Sequence, residues 1–125
     1  EMCIRDSPSQ YFLLENRSPV GYDRGLEVWL GASFSGIALW HIDTSVGGNS
    51  NDARRLVDLE ESDGSATASE ATNLWYQGNP MGGTVFDNTS VPSSKLNNGR
   101  PSGVTVTGFS IPGKTMQAEV TTKTR

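Results

Sequence analysis

A chain of 125 residues and 13.4 kDa has the length of one domain with its own core, since single domains usually hold about 100–150 residues. Its 14 Asp and Glu against 10 Lys and Arg, a formal charge of −4 without any block of like charge, argue against a nucleic-acid footprint and against a basic membrane-binding face. No apolar run approaches the roughly 18 residues needed to span a bilayer, and a single cysteine, Cys3, excludes a disulfide framework within the chain.

Fourteen Gly among many Ser, Thr and Asn favour short strands joined by turns over long helices. The expected fold class is therefore mainly β: antiparallel strands forming a sandwich-like or sheet subdomain, with long loops and at most one short helix. Residues 1–9 are expected to be a tail outside the fold and 10–122 the β-rich unit. Residues 10–16 carry a compact apolar run, Tyr11 to Leu14, between Pro8 and Pro19, which predicts a buried strand ending in a polar cluster. A short Glu-Val-Trp-Leu strand is expected over 27–30, ended by Gly31. In 36–43, Ile37 and Leu39 face one way and Ala38, Trp40 and Ile42 the other, so this strand should lie centrally, covered on both sides. Residues 44–52 are a Ser-, Gly- and Asn-rich loop. In 56–60, Val57 and Leu59 alternate with Asp58 and Glu60, which predicts a half-solvated strand closed by an Asp63-Gly64 turn.

A short helix is expected over 65–74, with Ser69 as its N-cap and, on that reading, Leu74 and Trp75 packing inward. Residues 77–102 are dominated by Gly, Asn, Pro and Ser, a long irregular connection with Val85-Phe86 as its apolar anchor. In 103–111 the apolar alternation slips by one between Val104/Val106 and Phe109/Ile111, and Gly108 at the slip suits a bulge. Pro112-Gly113 forms a turn, and Met116, Ala118 and Val120 alternate with polar residues, completing a C-terminal antiparallel hairpin.

Three segments in order are the most informative feature: Tyr11-Phe12-Leu13-Leu14-Glu15-Asn16-Arg17, Gly36-Ile37-Ala38-Leu39-Trp40-His41-Ile42-Asp43, and Leu56-Val57-Asp58-Leu59-Glu60-Glu61-Ser62-Asp63-Gly64. With a Gly21-Tyr22-Asp23 step and an Asn-rich loop from Gly47 to Asp52, this order resembles the region following the zinc site in secreted M6 metallopeptidases of the immune inhibitor A type. The resemblance runs from about Gln10 to about Val120. It implies a secreted zinc metallopeptidase as the parent, with protein substrates and with an upstream catalytic domain of the same polypeptide as partner. Such an enzyme needs two His one helical turn apart, with a Glu beside the first to activate the metal-bound water. The chain has one His in total, so it is expected to be a non-catalytic C-terminal portion, with zinc in the parent only. Glu1-Met2-Cys3-Ile4-Arg5-Asp6-Ser7 resembles the in-frame translation of a transposon-end adapter used in preparing sequencing libraries, and is expected to stand outside the natural protein.

Four constellations are candidates for chemistry. His41, the sole imidazole, is either a supporting donor in the complete enzyme or a fastener that bonds a neighbouring carboxylate or carbonyl, and a lone titratable residue favours the fastener. Asp43, Asn49, Asn51, Asp52 and Asp63 form an oxygen-rich set of the kind calcium takes, although Ala53 stands where an EF-hand needs a ligand, and the ordinary alternative is Asn and Asp bonding their own turns. Glu15 and Arg17, two residues apart on a strand, share one face as a structural ion pair or a brace for the zinc domain. Of the aromatics, Trp29 and Trp40 read as core and Trp75-Tyr76 as an exposed binding pair.

Two functional classes follow. The first is the buttressing C-terminal part of the peptidase unit. The second is an independent β-sandwich module that recognises glycan or protein through Trp75-Tyr76, a class kept open by the long, apolar stretch between Asp23 and Gly36, where the family has a short Gly-Leu-Pro-Gly connector.

Overall fold

A computed structural model of the chain describes residues 1–5, 7–25, 28, 34–64 and 72–123. The strands are β1 (Met2–Arg5), β2 (Gln10–Arg17), β3 (Gly36–Asp43), β4 (Val57–Leu59), β5 (Val104–Thr107) and β6 (Glu119–Thr122), with a single-turn 3₁₀ segment over Gly21–Asp23. The fold is mainly β, as composition implies. One sheet has the order β1-β2-β3-β4 and the other pairs β5 with β6, every neighbour antiparallel.

β2 and β3 form the spine of the larger sheet. They pair over all eight residues of each, from Gln10 opposite Asp43 to Arg17 opposite Gly36. The period of two then sorts their side chains. Phe12, Leu14, Ile37 and Leu39 point into the main core together with Ile4 of β1. Ala38, on the opposite face, packs with Phe34 and Leu74 in a second cluster bordered by Trp40, Leu59 and Tyr76. β3 is therefore interior to its sheet and covered on both faces, which is why its apolar run shows no clean alternation.

The β5–β6 hairpin closes the main core from the other side through Val104, Val106 and Phe109, with Met116, Ala118 and Val120 packed against it. Within the strands Val106 faces Val120 and Thr107 faces Glu119. That register would set Ser110 against Met116, yet the Ser110 amide donates to the Gln117 carbonyl at 2.9 Å. One extra residue has entered at Gly108, whose φ of 63° is open to glycine and strained for other residues. The bulge turns Phe109 inward, to 7 % exposure.

A relay of rings spans the two sheets. Phe12 of β2 meets Phe86 edge-on at 5.4 Å, Phe86 meets Trp75 at 5.6 Å, and Trp75 stacks on Phe109 at 5.2 Å. Trp75 is pinned by paired backbone bonds with Ile37 at 2.8 and 2.9 Å, and Phe86 by a matching pair with Val106. Phe12, Leu39 and Val106 are fully enclosed, and burial of side chains of this size contributes about 1.5–3 kcal/mol each.

Three expectations need comment. Met2–Arg5, expected in a tail, is a strand with four residue pairs to β2 and with Ile4 in the core. Its apolar residues alternate, and the open edge of β2 supplies the backbone partners that make a short segment a strand. Of the strand expected over 27–30 only Val28 is described, and it is helical and exposed; most of the helix expected over 65–74, including its cap Ser69, lies outside the described residues. The connection over 77–102 contains no strand or helix of its own and is anchored at Phe86.

Candidate functional site

The polar residues converge where β2 starts and β3 ends. Gln10 and Asp43 are register partners there. By alternation both fall on the core-facing row with Phe12 and His41, and all four are buried. A buried polar side chain must find partners or lose its hydration energy. Each of these does, and the partners come from distant loops.

Asp43 is fully enclosed. Its Oδ1 accepts from the Ser45 amide at 3.0 Å and from the Ser45 hydroxyl. Its Oδ2 accepts from Arg54 Nε at 3.2 Å, Arg54 Nη2 at 3.0 Å and Asn97 Nδ2 at 2.8 Å. Burial pushes this carboxyl up, but the donors Ser45, Asn97 and Arg54 together outweigh burial and take it from 3.8 down to about 2. The ionised form is the one the fold holds.

His41 lies against the Phe12 ring, with centroids 4.6 Å apart. Its Nε2 is 3.0 Å from Gln10 Oε1 and its Nδ1 is 3.3 Å from Glu60 Oε1. Gln10 Oε1 also accepts the Asn97 amide at 3.0 Å, which fixes the orientation of the Gln10 side chain. His41 thus links β2, β3 and the residue after β4, while Asn97 ties the long connection to the same end of the sheet. The arrangement is a fastening. One imidazole with a carboxylate and an amide does not fit a zinc shell. Among the described residues no group of three or more His, Cys, Asp and Glu is placed to hold a metal ion.

The remaining members of the oxygen-rich set are engaged locally. Asn49 exchanges two bonds with the Val57 backbone, at 2.8 and 2.9 Å, and Asn51 Oδ1 accepts the Ala53 amide at 3.0 Å. Asp52 pairs with Arg55 at 3.0 Å and Asp63 accepts from the Thr72 hydroxyl at 2.6 Å. These oxygens organise their own turns, and a guanidinium sits on Asp43 where a cation would bind, so the set as arranged does not fit a calcium cage.

Glu15 and Arg17 do meet, at 3.2 Å, and Arg17 also reaches Asp23 at 3.0 Å. Trp40 Nε1 donates to Glu15 at 3.3 Å across the β2–β3 pair. All this lies on the face away from the main core, and it holds the 3₁₀ segment against the sheet.

Trp75 requires a correction. Read both as packing inward beside Leu74 and as half of an exposed aromatic pair with Tyr76, it is fully buried, which overturns the exposed pair, and its Nε1 donates to the Glu60 carbonyl at 2.8 Å. The Gly, Asn and Pro that follow it mark a turn, but a turn does not fix which way the preceding ring points. Tyr76 is half-buried beside the second cluster. Trp29 lies outside the described residues.

Sequence reasoning missed Gln10, Arg54, Glu60 and Asn97, and also Asn79. Asn79 Nδ2 reaches Ser62 Oγ and the Thr72 and Leu74 carbonyls, each at 2.9 Å, and its Oδ1 accepts the Met81 and Gly82 amides. Asn97 meets residues 54 and 87 positions away, and no local pattern signals contacts of that separation. No protein-family model matches the chain, and no curated protein or solved structure shows significant similarity to it.

Proposed function

We infer that this chain is the non-catalytic C-terminal part of a secreted M6-like zinc metallopeptidase, a β-rich unit that buttresses the catalytic domain of its own polypeptide. One observation carries the reading. The three motif segments that resemble the family are not scattered over the surface: they supply β2, β3 and β4, three adjacent strands of one sheet. Their polar residues, His41, Asp43, Glu15 and Arg17, are spent on internal bonds, as a scaffold requires. The parent hydrolyses peptide bonds with a metal-activated water, and every residue of this chain acts by holding shape. The rival reading as an aromatic-platform binding module loses its platform, because Trp75 is in the core.

The deciding experiment is recovery of the reading frame upstream of Tyr11. A helix carrying His-Glu-x-x-His is expected, because that spacing turns both imidazoles to one helical face toward zinc. The parent should digest casein and stop when a zinc chelator is added, while the present chain alone should do neither. An upstream region made only of further β-modules would overturn the assignment.

A further inference from the structure

We propose that the Asn49 side chain is an edge guard: it occupies backbone sites on the outer side of β4 that the β4 strand of a second copy of this chain would otherwise pair with, and so keeps the larger sheet from growing by strand addition.

β4 is the last strand of its sheet, and among the described residues no strand lies beyond it. The ladder with β3 fixes which way its backbone points. The Asp43 amide donates to the Leu56 carbonyl at 2.9 Å and the Glu60 amide to the Leu39 carbonyl at 2.8 Å, with His41 opposite Asp58 between them. In an antiparallel ladder this phase turns the amide and carbonyl of Asp58 toward β3 and those of Val57 and Leu59 away from it. Outward groups of that kind are a template for another chain.

Asn49 fills the template at Val57. Its Nδ2 donates to the Val57 carbonyl at 2.8 Å and its Oδ1 accepts the Val57 amide at 2.9 Å, the same two-bond ring that a residue of a neighbouring antiparallel strand closes. A side-chain amide carries a donor and an acceptor side by side, as a strand residue does, but it ends the ladder where a strand would extend it. The loop that carries Asn49 is itself tied to the start of β4, because the Leu56 amide donates to the Gly48 carbonyl at 3.3 Å.

The strand kept out is a second β4 because the edge is self-complementary. About a two-fold axis at Asp58, Val57 of one copy would face Leu59 of the other, and both carry outward amides and carbonyls. The same axis would set the two Asp58 carboxylates opposite each other, a like-charge contact that opposes pairing. Asp58 is thus a weaker second guard, its charge partly offset by Arg55 at 2.8 Å.

The test compares the full chain with Asn49→Ala, with Asn49→Ala/Asp58→Asn, and with that double variant carrying Val57→Pro, by sedimentation across a concentration series and by amide exchange. In dilute solution Asn49→Ala should speed exchange at Val57 by at least about tenfold, a change of the size that local opening equilibria report. Asp58, whose amide faces β3, should change little. Raising the concentration should take the double variant from one chain toward two and slow Val57 exchange again, while the unaltered chain stays single. Val57→Pro should abolish the association, since proline offers no amide and the position lies off the β3 ladder. A double variant that keeps slow exchange across β2 and β3 yet stays single at every concentration would overturn the proposal. So would association that Val57→Pro leaves intact. Should Asn49→Ala disturb exchange across β2 and β3, Asn49→Ser takes its place, because its one hydroxyl cannot close the two-bond ring, and the same outcomes decide.

Discussion

Asp43 shows how much a single side chain can carry in this fold. Its folded-state carboxyl is held near 2 against an ordinary 3.8, so its contribution to stability is fully present above the unfolded value and is lost as pH falls from about 4 toward 2. The shift corresponds to about 1–2 kcal/mol once screening of the half-exposed Arg54 is allowed for. The urea midpoint of the wild type should therefore hold between pH 7 and 5 and drop below 4, and Asp43→Asn should flatten that drop; parallel acid limbs would contradict the assignment. Because Arg54 takes the cation's place on Asp43, melting in calcium and in chelator should coincide. A real cage would instead add about 2.7 kcal/mol at a hundredfold excess over its dissociation constant. Trp75 gives the opposite kind of test. As a core ring, Trp75→Ala should cost about 3–5 kcal/mol, and Trp75→Phe less, chiefly through the lost bond to the Glu60 carbonyl. An exposed platform would tolerate either change with little loss, so the stability readout alone separates the two placements.

At the scale of elements, the informative cases are β1 and the C-terminal hairpin. An adapter-like, mostly polar N-terminus gives no reason to expect order, yet Met2–Arg5 pairs with β2 and buries Ile4. A strand's own composition matters less here than the edge on offer, because the ladder bonds are made by backbone. Removing residues 1–7 should therefore cost more than about 1 kcal/mol, since burial of Ile4 alone is worth about 1.5–3 kcal/mol. An unchanged denaturation midpoint would return the segment to the status of a tail. The hairpin was legible in advance because its signals are local: alternation, the Pro112-Gly113 turn, and a phase slip with Gly108 at the slip. Those features state both the pairing and where it must be broken.

For the whole molecule, the two sheets meet over one apolar core threaded by Phe12, Phe86, Trp75 and Phe109. On the proposed reading, a unit built this way, with His41 and Asp43 bonded internally, serves as a scaffold. Incubated alone it should leave casein intact and should not bind zinc tightly, since one imidazole cannot supply a zinc shell. Cleavage by the isolated chain that survives repurification would contradict the scaffold role.

The sequence by itself determined what depends on neighbours along the chain: the β class, the central place of 36–43 from its two apolar faces, the bulged hairpin, the loop character of 44–52, and the shortage of imidazoles for a zinc site. Period and turn chemistry act over a few residues, so they are readable without coordinates. Only the tertiary structure decided that Trp75 points inward, that Arg54 and Asn97 converge on Asp43, that His41 lies between Gln10 and Glu60, and that Met2–Arg5 pairs with β2. Those facts depend on which distant segments the core brings together, and partner choice across that separation is set by packing and by the satisfaction of buried polar groups, neither of which leaves a periodic mark in the chain.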